Sequence, residues 1–196
     1  LVRQDVEIKK TEQLFRNSRF KLTGNPLFSR PPLYLEACTL DKCISLLNVH
    51  LRSMRGIDSD RDGQRVIAKR LRQAETIAAW SNDFQHSRAG AWLLLLGDFN
   101  ALTPPDNHVD VIGIIRGNPD NTTTSVRGRD LVEPDLVDMS ALVTPTSYSF
   151  IFRGNRQQLD YMFINHSFGA EVKAINFSRI DYRFSDHAGL LAWLEW

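Results

Sequence analysis

The chain has 196 residues, 42% hydrophobic and 24% charged, with 24 Lys and Arg against 23 Asp and Glu. These values fit one well-cored domain and exclude a disordered tail, a collagen-like rod or a disulfide-dense miniprotein. A net charge of +1 leaves no global field to attract a polyanion, so nucleic-acid binding would need a local basic patch. The longest apolar run, Ala91 to Leu96, falls far short of the ~20 residues that cross a bilayer as a helix.

The opening Leu-Val-Arg-Gln-Asp-Val carries neither an initiating Met nor a signal-peptide core, and it reads like the interior of a strand. The chain is therefore expected to begin mid-protein, with strands near 1–8 and 33–38. Cys38 and Cys43 cannot make a zinc site by themselves. Leu40-Asp41 is a plausible turn between them; reduced thiols are the default and a cross-strand disulfide the alternative. Ile44 to Leu51 alternates, with Ile44, Leu46, Asn48 and His50 on one face and Ser45, Leu47, Val49 and Leu51 on the other. Gln64 to Ser87 is predicted helical from Ile67, Leu71, Ala74 and Ala78, with Asp60 or Asp62 as the cap. Ala91 to Leu96 suits a strand buried on both faces. Residues 101–145 read mostly as loop, and four strands follow: Tyr148 to Phe152, Leu159 to Ile164, Glu171 to Phe177 and Gly189 to Trp196. No interdomain linker or repeat interrupts the chain, so a single α/β domain with mixed sheets is expected over 1–196.

The informative feature is polarity at the ends of apolar strands. Leu93 to Gly97 runs straight into Asp98-Phe99-Asn100. A carboxylate and an amide there are costly unless paired or used by a ligand; a plain turn is the competing reading. His50 ends one strand, Asp160 sits between Leu159 and an apolar-aromatic run, and Ser185-Asp186-His187 precedes the last strand. Two imidazoles, three carboxylates and an amide supply acid, base, cation-holding and oxyanion-donating chemistry. No P-loop, nucleophile elbow or zinc-helix motif is present.

Asn48-Val49-His50-Leu51, Gly97-Asp98-Phe99-Asn100, Leu159-Asp160-Tyr161 and Ser185-Asp186-His187, in this order, resemble the motifs of the endonuclease/exonuclease/phosphatase superfamily. Phe28-Ser29-Arg30-Pro31-Pro32-Leu33 and His50-Leu51-Arg52-Ser53 extend the likeness toward bacterial members. The resemblance implies a four-layer α/β sandwich of two mixed sheets flanked by helices, and phosphoester hydrolysis by an in-line water. His187 would position or deprotonate the water, Asp160 would hold its ring, and Asp98 would orient the nucleophile. Asn100 and His50 would stabilise the phosphoryl oxygens, Arg52 and Ser53 would contact substrate, and Asp186 would face a divalent metal. Magnesium is the first choice for that ion, with manganese or calcium as alternatives.

The resemblance also implies an upstream Asn-bearing strand and a metal-binding Glu, which do not precede Leu1. The chain is thus expected to represent an incomplete domain with weak metal binding and slow turnover. The substrate is expected to be a phosphoester, with nucleic acid the favoured class on family frequency. The alternative is a truncated or degenerate binding module, engaging a separate N-terminal segment or a second copy through an open sheet edge. Seven basic and three acidic residues between 52 and 72 form either a phosphate-binding patch or a solvated helix face.

Overall fold

The computed structural model describes residues 2–39, 42–143 and 148–196. Its central element is a six-stranded mixed sheet in the order β1 (Glu7–Gln13), β2 (Leu33–Thr39), β3 (Lys42–His50), β4 (Trp92–Asp98), β8 (Asp160–Ile164) and β5 (Val137–Asp138). β3 and β4 are parallel because helix α1 (Gly63–Ser87) carries the chain between them; the other pairs in this sheet are antiparallel. Two antiparallel hairpins stand apart from it: β6 (Phe150–Phe152) with β7 (Asn155–Gln157), and β9 (Glu171–Ser178) with β10 (Gly189–Glu195).

The predicted alternation sorts the two faces of the sheet. Leu47, Val49, Leu93, Leu95, Tyr161 and Phe163 point to one side, where they pack on Ile67, Ala74, Ile77 and Ala78 of α1 and on the short helix α2 (Val111–Arg116). Ile44, Leu46, Leu94, Leu96, Met162 and Ile164 point the other way, onto Ile175, Val172, Leu190, Ala192 and Leu194 of the β9–β10 hairpin. The result is an α/β sandwich, with helices, mixed sheet and a second sheet stacked in that order. The second sheet is a two-stranded antiparallel hairpin, not a mixed sheet, and the expected fourth, outer helical layer is absent among the described residues. On the far side of the hairpin, Leu191 and Trp193 are exposed.

Several local expectations need correction. The first strand starts at Glu7, so residues 2–6 lie outside it. Cys38 and Cys43 are directly opposite one another in the β2–β3 ladder and form a disulfide, not two free thiols. The Leu40-Asp41 turn lies outside the described residues. Asp62 occupies the α1 cap position without a side-chain capping bond, because its carboxylate pairs with Arg61 and Arg65. The 101–145 segment holds α2, capped by Asp110 onto Gly113 N–H, and a single 3₁₀ turn at Met139–Leu142.

Candidate active site

Strand register gathers the first three polar residues. His50 on β3 lies opposite Asp98 on β4, and Asp98 lies opposite Asp160 on β8. All three share the face turned toward the β9–β10 hairpin, at one end of the sheet. Gly97 makes this approach feasible. It adopts φ +131°, and a Cβ there would stand 2.1 Å from Val49 O and 2.7 Å from Asn48 Oδ1.

His187, just before β10, completes the group from a distant part of the chain. Its Nδ1 lies 2.7 Å from Asp160 Oδ2, which leaves Nε2 on the opposite side of the ring free of this contact. The Asp160 hydrogen bond holds the imidazole above its ordinary value, against partial burial that would lower it. Phe150 packs on the same ring, with centroids 4.8 Å apart.

Ser149, buried and unremarkable in sequence, ties these parts together. Its Oγ accepts from the N–H groups of Leu159 and Asp160 at 2.8 and 3.2 Å, and its carbonyl accepts from Ala188 N–H at 2.7 Å. One residue thus fixes both Asp160 and the backbone beside His187.

Asp98 ends its strand in an Asx turn. Its Oδ1 accepts from Asn100 N–H at 2.8 Å, its Oδ2 accepts from Asn100 Nδ2 at 2.8 Å, and Asn100 sits at φ +50°. The turn and the site are therefore the same feature. Phe99 between them points into the core against Tyr161 and Phe163. The second Nδ2 hydrogen of Asn100 goes to Leu51 O at 3.2 Å, so both amide hydrogens hold Asp98 and the end of β3. Burial raises the Asp98 carboxyl above the usual carboxylate range, and the Asp160 charge adds to the shift.

His50 Nε2 is 3.4 Å from Asp98 Oδ2. Arg30 donates into the same ring, with Nη1 3.1 Å from Nδ1 and in contact with Nε2. Burial lowers the His50 pKa, and Arg30 lowers it further against the pull of Asp98. Arg30, rather than His50, is consequently the permanent cation at this position. The Phe-Ser-Arg-Pro-Pro segment carried no site assignment in sequence, because its distance from His50 closes only on folding.

The remaining assignments divide. Arg52 and Ser53 line a small pocket with Arg30, His50 and Ser29, but the Arg52 guanidinium donates to Ser53 Oγ and Arg55 O. Asp186 is exposed, and its charge acts on His187; the converging ligand atoms come from Asp98, Asp160 and His187 instead, all within 4.8 Å of one another. The basic run at 52–72 is largely spent on structure. Arg61 and Arg65 pair with Asp62, Arg72 with Glu75, and Lys69 donates to Pro26 O. Arg70 is fully buried and donates to Arg52 O, Asn100 O and Asp106 Oδ2 at 2.9, 2.7 and 2.7 Å. That clamp joins the loops following β3 and β4 to helix α1.

The two carboxylates suit a hard divalent cation. Each keeps acceptor capacity beyond its present bonds, and a cation between them would offset both the burial that raises Asp98 and the smaller repulsion from Asp160. A magnesium-type ion commonly takes one or two carboxylates and fills the rest of its shell with water and substrate phosphate.

No family profile matches the sequence, and no curated protein matches it. Solved structures do match. An endonuclease/exonuclease/phosphatase protein from Bacteroides vulgatus has 15% identity and TM-score 0.60, over 97% of this chain and 66% of its own. TDP2 from D. rerio, complexed with single-strand DNA product, has 12% identity and TM-score 0.59, over 96% and 68%. ANGEL2, a 2′,3′-cyclic phosphatase, has 16% identity and TM-score 0.56, over 96% and 66%. The chain spans about two-thirds of the length of these proteins, and it has the fold of the endonuclease/exonuclease/phosphatase superfamily.

Two measurements check the site. By NMR titration in EDTA, His187 should titrate above an ordinary imidazole, and Asp160→Asn should bring it down, since the carboxylate favours the charged ring; an unshifted His187 would contradict the pairing. Ser149→Ala should cost about 1–3 kcal/mol in urea unfolding by stranding the buried Leu159 N–H and the part-buried Asp160 N–H, and should loosen the His187–Asp160 bond in the same spectra.

Proposed function

We propose that the chain is a metal-dependent phosphodiesterase, and within that class a nuclease. The observation that carries this reading is the His187 Nδ1–Asp160 Oδ2 contact of 2.7 Å beside Asp98 and His50, on one end of the sheet. An imidazole held by a carboxylate on one nitrogen has its other nitrogen available as a base.

In this reading His187 Nε2 takes the proton of a water as the new P–O bond forms and the ester P–O bond opposite it breaks. Asp160 keeps the ring in the working tautomer and stabilises the imidazolium. Arg30 and His50 would face the phosphoryl oxygens from the other side, where fixed donors act on developing charge. Asn100 acts through Asp98, because both its amide hydrogens are already used. Asp98 and Asp160 would hold the divalent ion, magnesium first and manganese or calcium next, with Asp186 adding negative charge from the solvent side. The ion would supply charge neutralisation at the phosphate. Arg52 and Ser53, which line a pocket with Arg30, would meet a neighbouring phosphate once Arg52 releases its loop partners.

Nucleic acid is favoured over other phosphoesters because D. rerio TDP2, which shares the fold, is complexed with single-strand DNA product. One observation supports a second reading as a binding module: Leu191 and Trp193 lie exposed on the outer face of β10. Hydrolysis of bis(p-nitrophenyl) phosphate separates the two. The enzyme reading predicts magnesium-dependent turnover that falls about 10²–10⁴-fold in His187→Ala. A folded protein without turnover, or turnover indifferent to His187, would contradict it.

A further inference from the structure

Beside the candidate active site lies a cleft of about 810 Å³ whose wall includes Asn100, Leu159, Met54, Leu102, Phe150 and Phe152. Two of these residues form a row. Phe150 and Phe152 alternate onto the same face of the β6–β7 hairpin, and Phe150 already packs on the His187 ring. From His187 outward, the row therefore runs imidazole, half-buried Phe150, then Phe152 with half its surface open to solvent.

The hairpin turn holds the end of the row in place. Arg153 and Gly154 both adopt positive φ, +49° and +83°, as a two-residue type I′ turn demands. A left-handed Arg is unfavourable compared with Asn or Gly, yet here the guanidinium lies 5.2 Å over the Phe152 ring. The carboxylates of the cleft are engaged: Asp106 with Arg70 and Asp58 with His108. Arg55 and Arg153, also in its wall, have no carboxylate partner among the described residues. An apolar wall with two aromatic rings on one hairpin face, bordered by cations without carboxylate partners and continuous with the proposed phosphate-processing end, matches an unpaired nucleotide strand. A sugar or inositol phosphate offers hydroxyls that this mostly apolar wall would leave unmatched, and a duplex would hide its base faces.

The geometry points to the Phe150–Phe152 row as a base-stacking platform, so that the substrate is a single-stranded nucleic acid with a base seated on Phe152 and neighbouring phosphates facing Arg55 and Arg153. This inference rests on the phosphodiesterase reading and names its substrate class. Base stacking on an aromatic side chain is sequence-tolerant, so the platform selects for unpaired bases, not for a particular base.

Fluorescence anisotropy on the His187→Ala protein with magnesium tests it, using oligothymidylate and an abasic strand of equal length and charge. The expected result is about tenfold tighter binding of oligothymidylate than of the abasic strand. Phe152→Leu, which keeps an apolar side chain but no ring, should abolish that preference, and Phe152→Trp should retain it. Equal binding of the two strands, no binding of either, or a Phe152→Leu protein that still prefers thymidine would overturn the proposal. So would Phe152-dependent binding to phosphatidylserine vesicles in place of the strands. Bis(p-nitrophenyl) phosphate turnover and its dependence on His187 report separately on the underlying phosphodiesterase, which survives if only the strand preference fails.

Discussion

The pairing of β3 with β4 and of β4 with β8 is the constraint on which the rest of the site depends. Neighbouring strands lie about 4.8 Å apart, and the register puts His50, Asp98 and Asp160 side by side across three of them. Asp98 so placed loses water and lies beside the Asp160 charge, and both hold its carboxyl above the usual range. The fold compensates by giving each member a partner from elsewhere: His187 for Asp160, Asn100 for Asp98, Arg30 for His50. A slip of one residue in either pairing would turn a member of the row toward the helices and the apolar core.

Loops then hold these partners through buried polar anchors. Ser149 binds the start of β8 and the approach to β10. Arg70 and Gln73 of α1 reach across to the chain leaving β3, and Arg70 also reaches the chain leaving β4. A buried guanidinium with three acceptors is costly to desolvate, and its Nε lacks a partner among the described residues. What that cost secures is the position of Asn100, and through it Asp98. The helix face once open to reading as a phosphate patch serves in part as scaffolding for the loops that present the site.

Much of this was legible in the chain. The strand alternation at 44–51 and the helix at 64–87 follow from periodicity, and the polar residues at strand ends stood out against apolar neighbours. Their convergence was expected from the motif order alone, since spacing along a chain says nothing about register between strands. Arg30 and Ser149 were invisible as site residues for the same reason: each acts through a contact with a residue at least ten positions away. The Cys38–Cys43 bridge turned on whether the two strands paired in direct opposition. Helix α2 is too short for its periodicity to show within a Pro- and Gly-rich segment, although Asp110 before it and Gly117 after it are ordinary cap residues.

The claim at the centre is that Asp160 and His187 act as one unit assembled by the sheet. A double-mutant cycle on metal-dependent phosphodiester turnover measures this directly, with Asp160→Asn and His187→Ala made singly and together. At magnesium saturating for each variant, so that a weaker ion site in Asp160→Asn does not enter, the double variant should be no slower than His187→Ala alone if the carboxylate serves the chemical step through the ring. Losses that multiply in the double variant would mean that the two residues contribute independently, and the account of an imidazole positioned by the strand row would be wrong.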